Sequence, residues 1–177
     1  MQNPYLLIID IQEKLYKVMN NKEDVLEKTI TLIKGFQLFK LPIIISEQVP
    51  DKLGPTIEPI KSLLPNLKPI HKSSFSCASN PEFVSSIDNL ENIEGAVIAG
   101  IETHICIYQT VKGLQKLGQK VEVATDAVTS RHLNDHNVAL NRIMNEGGFL
   151  TTVEMLLFGM QKNAHGANFK ELVALVK

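Results

Sequence analysis

Short apolar runs recur along the chain without the polar alternation of a half-exposed strand: Tyr5-Leu6-Leu7-Ile8-Ile9, Ile43-Ile44-Ile45 and Gly95-Ala96-Val97-Ile98-Ala99. Runs apolar on both faces suit parallel strands covered by helices above and below. Val121-Glu122-Val123-Ala124 and residues 149–153 extend the series, and Pro69-Ile70-His71 is a shorter strand that delivers Lys72. Between the runs the period changes. Residues 24–39 carry Val25, Leu26, Ile30, Ile33, Phe36 and Leu38 at spacings of three and four and stop before Pro42, which predicts an amphipathic helix. Residues 81–90 predict a second, with Asn80 as cap and Pro81 in first position. Ile107, Val111, Leu114 and Leu117 predict a third that closes at Gly118.

A further helix, capped by Asn134 or Asp135, carries Val138, Ile143 and Met144 to Gly147-Gly148. Residues 154–160 give a short helix, and Phe169, Leu172, Val173 and Val176 form one stripe of a last one. Two stretches break the rhythm. Residues 50–69 begin and end on proline and read as a long ordered excursion with a pair of helical turns, while residues 125–131 read as a polar loop. Six strands alternating with helices predict a three-layer α/β/α arrangement, a six-stranded and mostly parallel sheet, in a single domain over residues 1–177.

Composition narrows the chemistry. With 177 residues, 44% of them hydrophobic, the chain can bury a core without a staple. A formal net charge of -1 with dispersed lysines gives no basic field for nucleic acid or anionic lipid, so a small molecule is the expected partner. The first apolar run ends at Asp10, too short for a signal or a membrane span. Two cysteines, without metal-ligand or CxxC spacing, indicate neither a disulfide framework nor a zinc site, and a reducing cytoplasm is the expected location. Neither metal nor cofactor is expected.

The candidate chemistry lies where three strands end. Asp10 follows the first run, Lys72 the third, and Cys106 lies beyond the fourth in Gly100-Ile101-Glu102-Thr103-His104-Ile105-Cys106. Open α/β sheets bind ligands outside the carboxyl ends of their strands, so these residues are expected to share a crevice. Gln48 leaves the second strand toward the same rim. A thiol in the first turn of a helix feels the positive end of the dipole, and a neighbouring ammonium adds to that, so Cys106 is expected to be a reactive thiolate near neutral pH. Asp10 is then the proton carrier and Lys72 the electrostatic support of a cysteine hydrolase. His71 and His104 are read as structural or secondary, and Cys77 as a partly buried neighbour of the pocket without a catalytic role.

Leu7-Ile8-Ile9-Asp10-Ile11-Gln12, the segment from Lys72 to Phe75, and Gly100 to Cys106 resemble the three signatures of the isochorismatase-like cysteine hydrolases. Ser46-Glu47-Gln48, Leu53-Gly54-Pro55-Thr56, Asp126-Ala127 and Ser130-Arg131 further resemble the subgroup of isochorismatase domain-containing proteins. The resemblance implies an Asp-Lys-Cys triad at Asp10, Lys72 and Cys106, and a Rossmann-like sheet order 3-2-1-4-5-6. It also implies a cis peptide between Ile101 and Glu102, with an oxyanion hole from the amides near Thr103, Ile105 and Cys106. Within the matched motifs Gln12, Gln48, Phe75, Thr103 and His104 are the candidates to meet substrate. Family members commonly form dimers and larger rings, so a homo-oligomer is expected.

Two departures narrow the substrate. The metal-binding histidines of nicotinamidases have no counterpart in Glu47-Gln48-Val49-Pro50. Isochorismatases proper cleave a vinyl ether without a cysteine nucleophile, whereas Cys106 suits attack on a carbonyl-like carbon. The expected activity is therefore metal-independent hydrolysis of a small amide, imide or related C–N bond through a thioester. A non-enzymatic regulatory protein on the same fold and a vinyl-ether hydrolase are the alternatives. A nucleotide-binding domain is weaker, because no G-x-G-x-x-G or P-loop pattern follows Gly100.

Overall fold

The computed structural model describes residue 1 and residues 3–177. Six strands form one sheet: β1 (Pro4–Ile9), β2 (Ile43–Gln48), β3 (Ile70–Lys72), β4 (Gly95–Ile101), β5 (Lys120–Thr129) and β6 (Phe149–Thr151). All pair in parallel, in the order β3-β2-β1-β4-β5-β6. The helices in chain order are α1 (Glu13–Tyr16), α2 (Lys22–Leu38), α3 (Pro50–Leu53), α4 (Glu58–Lys61), α5 (Pro81–Asp88), α6 (Tyr108–Lys116), α7 (Leu133–Asn145), α8 (Val153–Gln161) and α9 (Phe169–Val176).

The apolar runs bury both faces of the sheet. Leu6, Ile8, Ile45 and Val97 pack with Leu32, Phe36, Leu157 and Leu172 from α2, α8 and α9. Leu7, Ile9, Ile98 and Val123 pack with Phe83, Val111, Leu114 and Ile143 from α5, α6 and α7. Each aliphatic side chain of β1 is fully buried, and such burial is worth about 1.5–3 kcal/mol per residue. The apolar stripe of α9 serves this same core: Leu172 is buried and Phe169 meets Phe158 edge-on at 6.4 Å.

Three elements differ from the sequence reading, each for a local reason. β5 continues through the stretch predicted as a polar loop. Its register against β4 shifts between the pairs Ile98↔Val123 and Gly100↔Val128, and the polar residues of that bulge hold neighbouring elements. Thr125 Oγ1 donates to the Thr151 carbonyl at 3.0 Å, and Asp126 Oδ1 accepts from the Val153 amide at 2.9 Å. α7 begins at Leu133 after an extended His132, with no side-chain cap; Asp135, expected as a possible cap, lies in its first turn, where a carboxylate complements the helix dipole. The predicted helix from residue 107 is preceded by a π-turn, Thr103–Ile107, and Cys106 sits in that turn. By contrast Asn80 caps α5 as expected, accepting from the Phe83 amide at 3.1 Å.

The order reverses between β1 and β4, which lie side by side. Gly100 allows them to meet closely there. Its φ is +131°, and a Cβ at this position would stand 2.1 Å from the Ile9 carbonyl oxygen. The chain ends leaving β1 and β4 therefore lie side by side next to β2 and β3, at the point where open α/β sheets bind ligands.

Candidate active site

Asp10 follows β1 in a left-handed backbone conformation, φ 55°, a region that costs energy for a non-glycine residue and concentrates at functional sites. Its side chain is fully buried and both carboxylate oxygens are engaged. Ser46 Oγ donates to Oδ1 at 2.8 Å and Lys72 Nζ to Oδ2 at 2.6 Å. The ammonium, 1% exposed, also donates to Gln48 Oε1 at 2.7 Å. Burial works most strongly against the charge on Lys72, but the adjoining Asp10 carboxylate together with the Cys106 and Cys77 thiols outweighs it and lifts the pKa above the usual lysine value.

β2 runs to Gln48 because Ser46, Glu47 and Gln48 pair with Ile70, His71 and Lys72 of β3. The strand's period of two then sorts the side chains. Ser46 and Gln48 face the ion pair. Glu47 is bound elsewhere: Oε1 accepts from the Thr56 amide and hydroxyl, both at 2.7 Å, and Oε2 lies 3.3 Å from His71 Nε2.

Cys106 is buried beside this network. Burial first, then the negative charge of Asp10, raise the pKa of its thiol, and a hydrogen bond to that carboxylate adds to the effect; the Lys72 ammonium pulls the other way and loses. The expected resting thiolate is thus corrected. The dipole argument counted a helix end that is a π-turn here and omitted burial and the facing carboxylate. The structure presents a buried thiol whose ionisation the nearby carboxylate disfavours. Cys77 is fully buried, not partly: Sγ donates to Ser46 Oγ at 3.5 Å, and its amide donates to Thr110 Oγ1 at 3.0 Å.

The turn bearing Cys106 is tied at three successive residues. The Ile101–Glu102 peptide is cis. Glu102 Oε2 accepts from the Arg131 amide at 3.0 Å and Nε at 3.1 Å. Thr103 Oγ1 and His136 Nδ1 share a 2.9 Å hydrogen bond, and burial pushes the His136 imidazole below its usual pKa, so the neutral ring can accept the hydroxyl proton. His104 Nδ1 and Ser130 Oγ share another, also 2.9 Å. The Ile105 amide, an expected oxyanion donor, is used by the Glu102 carbonyl at 3.1 Å.

The side chains predicted to meet substrate therefore divide. Gln12 is fully buried and its amide clamps the loop: Oε1 accepts from the Gln48 amide at 2.7 Å, and Nε2 donates to the Gln48 and Gly54 carbonyls at 3.1 and 2.6 Å. Gln48 holds Lys72 and donates to the Ser73 carbonyl at 2.9 Å. Thr103 and His104 anchor the turn. Phe75, 51% exposed on the loop after Lys72, remains open to a ligand. Ser46, Ser130, Arg131 and His136 were not assigned roles from sequence; for Ser46 the signal was its position two residues before Gln48, on the same face of the strand. Among the described residues no three His, Cys, Asp or Glu side chains are grouped to hold a metal ion, and no helix is long and apolar enough to cross a membrane.

The isochorismatase domain model matches residues 4–155 of the chain. Isochorismatase domain-containing protein 2 of Bos taurus is 34% identical over 172 residues, covering 97% of this chain and 82% of its own. Among solved structures, one described as the MAR1 ribonuclease of Caenorhabditis elegans superposes with a TM-score of 0.92 at 29% identity, over 99% of this chain and 90% of the other. The YcaC product of Escherichia coli, described as an octameric hydrolase of unknown specificity, shares the fold with a TM-score of 0.87 at 19% identity, over 99% of this chain and 85% of the other.

Proposed function

Because the chain belongs to the isochorismatase family, we propose that it is a metal-independent cysteine hydrolase of a small amide, imide or related C–N bond, working through a thioester on Cys106. The observation that carries the reading is the buried Asp10–Lys72 ion pair with the buried Cys106 thiol beside it. As the sulfur attacks the carbonyl carbon, Asp10 takes the thiol proton. The tetrahedral intermediate then expels the nitrogen, which leaves with that proton. A water molecule, deprotonated by Asp10, attacks the thioester, releasing the acid and returning the proton to Cys106.

Lys72 keeps the carboxylate in place throughout. Two of its three N–H donors go to Asp10 and Gln48, which leaves one to support charge in the crevice. The Glu102 carbonyl takes the amides of Ile105 and Ile107 and passes over that of Cys106 between them. We take the Cys106 amide, rather than that of Ile105, as the candidate oxyanion donor. Phe75 supplies an apolar wall at the mouth. Two free thiols fit a reducing, cytoplasmic setting.

A panel of small amides, imides and carbamoyl compounds tests this, with a vinyl ether and an RNA oligonucleotide as contrasting arms. The expected result is release of the amine from a C–N substrate together with an acyl adduct on Cys106 by intact mass. Turnover of the vinyl ether alone, without adduct, would transfer the assignment to the other chemistry, and inertness toward every arm would favour a regulatory role for the fold.

Assembly belongs to the same reading. The stripe of α9 is spent on the chain's own core, while Leu133 and Val138 of α7 are half exposed near the Cys106 turn. A dimer or larger homo-oligomer is expected by light scattering at micromolar concentration; a monomer mass would count against it.

A further inference from the structure

We propose that Ser46 is the positioning residue for Asp10, and that the buried Cys77 thiol fixes the direction in which the Ser46 hydroxyl donates. The inference rests on the general-base role given to Asp10 above and adds the device that aims it. A carboxylate joined to its chain by rotatable bonds can turn its two oxygens, and a base that turns loses its line to the proton it must take. Here Lys72 holds Oδ2 at 2.6 Å and Ser46 holds Oδ1 at 2.8 Å, so rotation would break two hydrogen bonds between buried groups.

A serine hydroxyl is itself a rotor, able to donate or accept. Cys77 removes that freedom. Its thiol donates to Ser46 Oγ at 3.5 Å, which occupies the hydroxyl as an acceptor on one side and leaves its proton to Asp10 on the other. The chain of donors thus runs from Cys77 to Ser46 to Asp10 in one direction. Both members are almost wholly shielded, Ser46 at 1% exposure and Cys77 at 1%. The nucleophile and its base are served by a second cysteine that performs no attack.

The groups facing Asp10 are the Lys72 ammonium from β3, the Cys106 thiol from the π-turn, the Cys77 thiol from the turn before α5, and the uncharged Ser46 from β2. Glu47, the other charged residue on that end of β2, is bound to Thr56 and His71 instead.

The experiment is the rate of Cys106 alkylation by iodoacetamide against pH, followed by intact mass, in the unsubstituted protein and in Ser46→Ala, Ser46→Thr, Cys77→Ala and Asp10→Asn, each with its thermal midpoint. Base-assisted alkylation rises on an acid limb that Asp10→Asn abolishes. In Ser46→Ala the limb is expected to lie roughly tenfold lower in rate. Ser46→Thr, which keeps the hydroxyl, should return the limb to its original height, and Cys77→Ala should lower it part of the way. A merely structural role would lower the thermal midpoint and leave the limb in place. If the limb depends on Asp10 yet stays put in Ser46→Ala and Cys77→Ala, the positioning role is overturned while the hydrolase reading stands. If no limb responds to Asp10→Asn, the base assignment falls and takes this inference with it.

Discussion

Cys106→Ala is expected to abolish turnover of whichever C–N substrate the panel reveals, and Asp10→Asn to slow it by about 10²–10⁴-fold, the usual worth of a positioned acid–base group. The two losses should not multiply. Asp10 acts only by moving the proton of Cys106, so the double variant should be no worse than Cys106→Ala alone. Measured multiplicative loss would mean that Asp10 does something the sulfur does not need. Retention of turnover by Cys106→Ala would go further and remove the nucleophile, leaving Asp10 as a direct proton donor in vinyl-ether chemistry. Because Cys106 and Asp10 already meet in the resting site, no rearrangement has to be invoked to explain either outcome. Asparagine keeps the size of the aspartate but offers one acceptor oxygen where Asp10 uses two, for Ser46 and Lys72, so the Asp10→Asn turnover is read beside its urea midpoint, which separates the missing base from a disturbed site.

The architecture was legible because each strand writes itself as an uninterrupted apolar run, which a sheet buried on both faces demands. Tyr5 to Ile9 and Gly95 to Ala99 left no other arrangement that hides every side chain. Asp10, Lys72 and Cys106 were legible for a related reason: each is a chemically capable residue at or just beyond the carboxyl end of a strand. What periodicity does not encode is where polar side chains find their partners. Thr125 and Asp126 look like a loop and are a bulge whose hydrogen bonds reach β6 and α8. Thr103, His104, Gln12 and Gln48 read as ligand contacts, and the structure adds that each closes a bond within the protein. The state of Cys106 escaped the sequence for the same reason. A helix dipole is visible in a sequence; the depth of burial and the carboxylate opposite are not.

Lys72→Met is the substitution expected to cost the fold most. Methionine keeps much of the length of the side chain and its apolar stem, so packing changes little, but Asp10 is left fully buried with only the uncharged Ser46 hydroxyl and Cys106 thiol as side-chain donors. Removing one partner of a buried pair costs about 3–5 kcal/mol, because the other charge stays desolvated and uncompensated. The loss should appear as a lower urea midpoint at neutral pH with an unchanged slope. The double variant Asp10→Asn with Lys72→Met should recover much of it, since neither charge then remains to be buried. The pH dependence separates this from a packing defect. The pKa of Lys72 is raised in the folded protein from the ordinary value of 10.5, so the pair's contribution is fully present below that value and is lost as pH rises through the folded one. The unsubstituted protein should therefore hold this contribution level through the neutral range and surrender it only in alkali. In Lys72→Met the alkaline loss disappears. A Lys72→Met protein as stable as the parent at neutral pH, with the same alkaline decline, would show that the buried pair does not hold this site together.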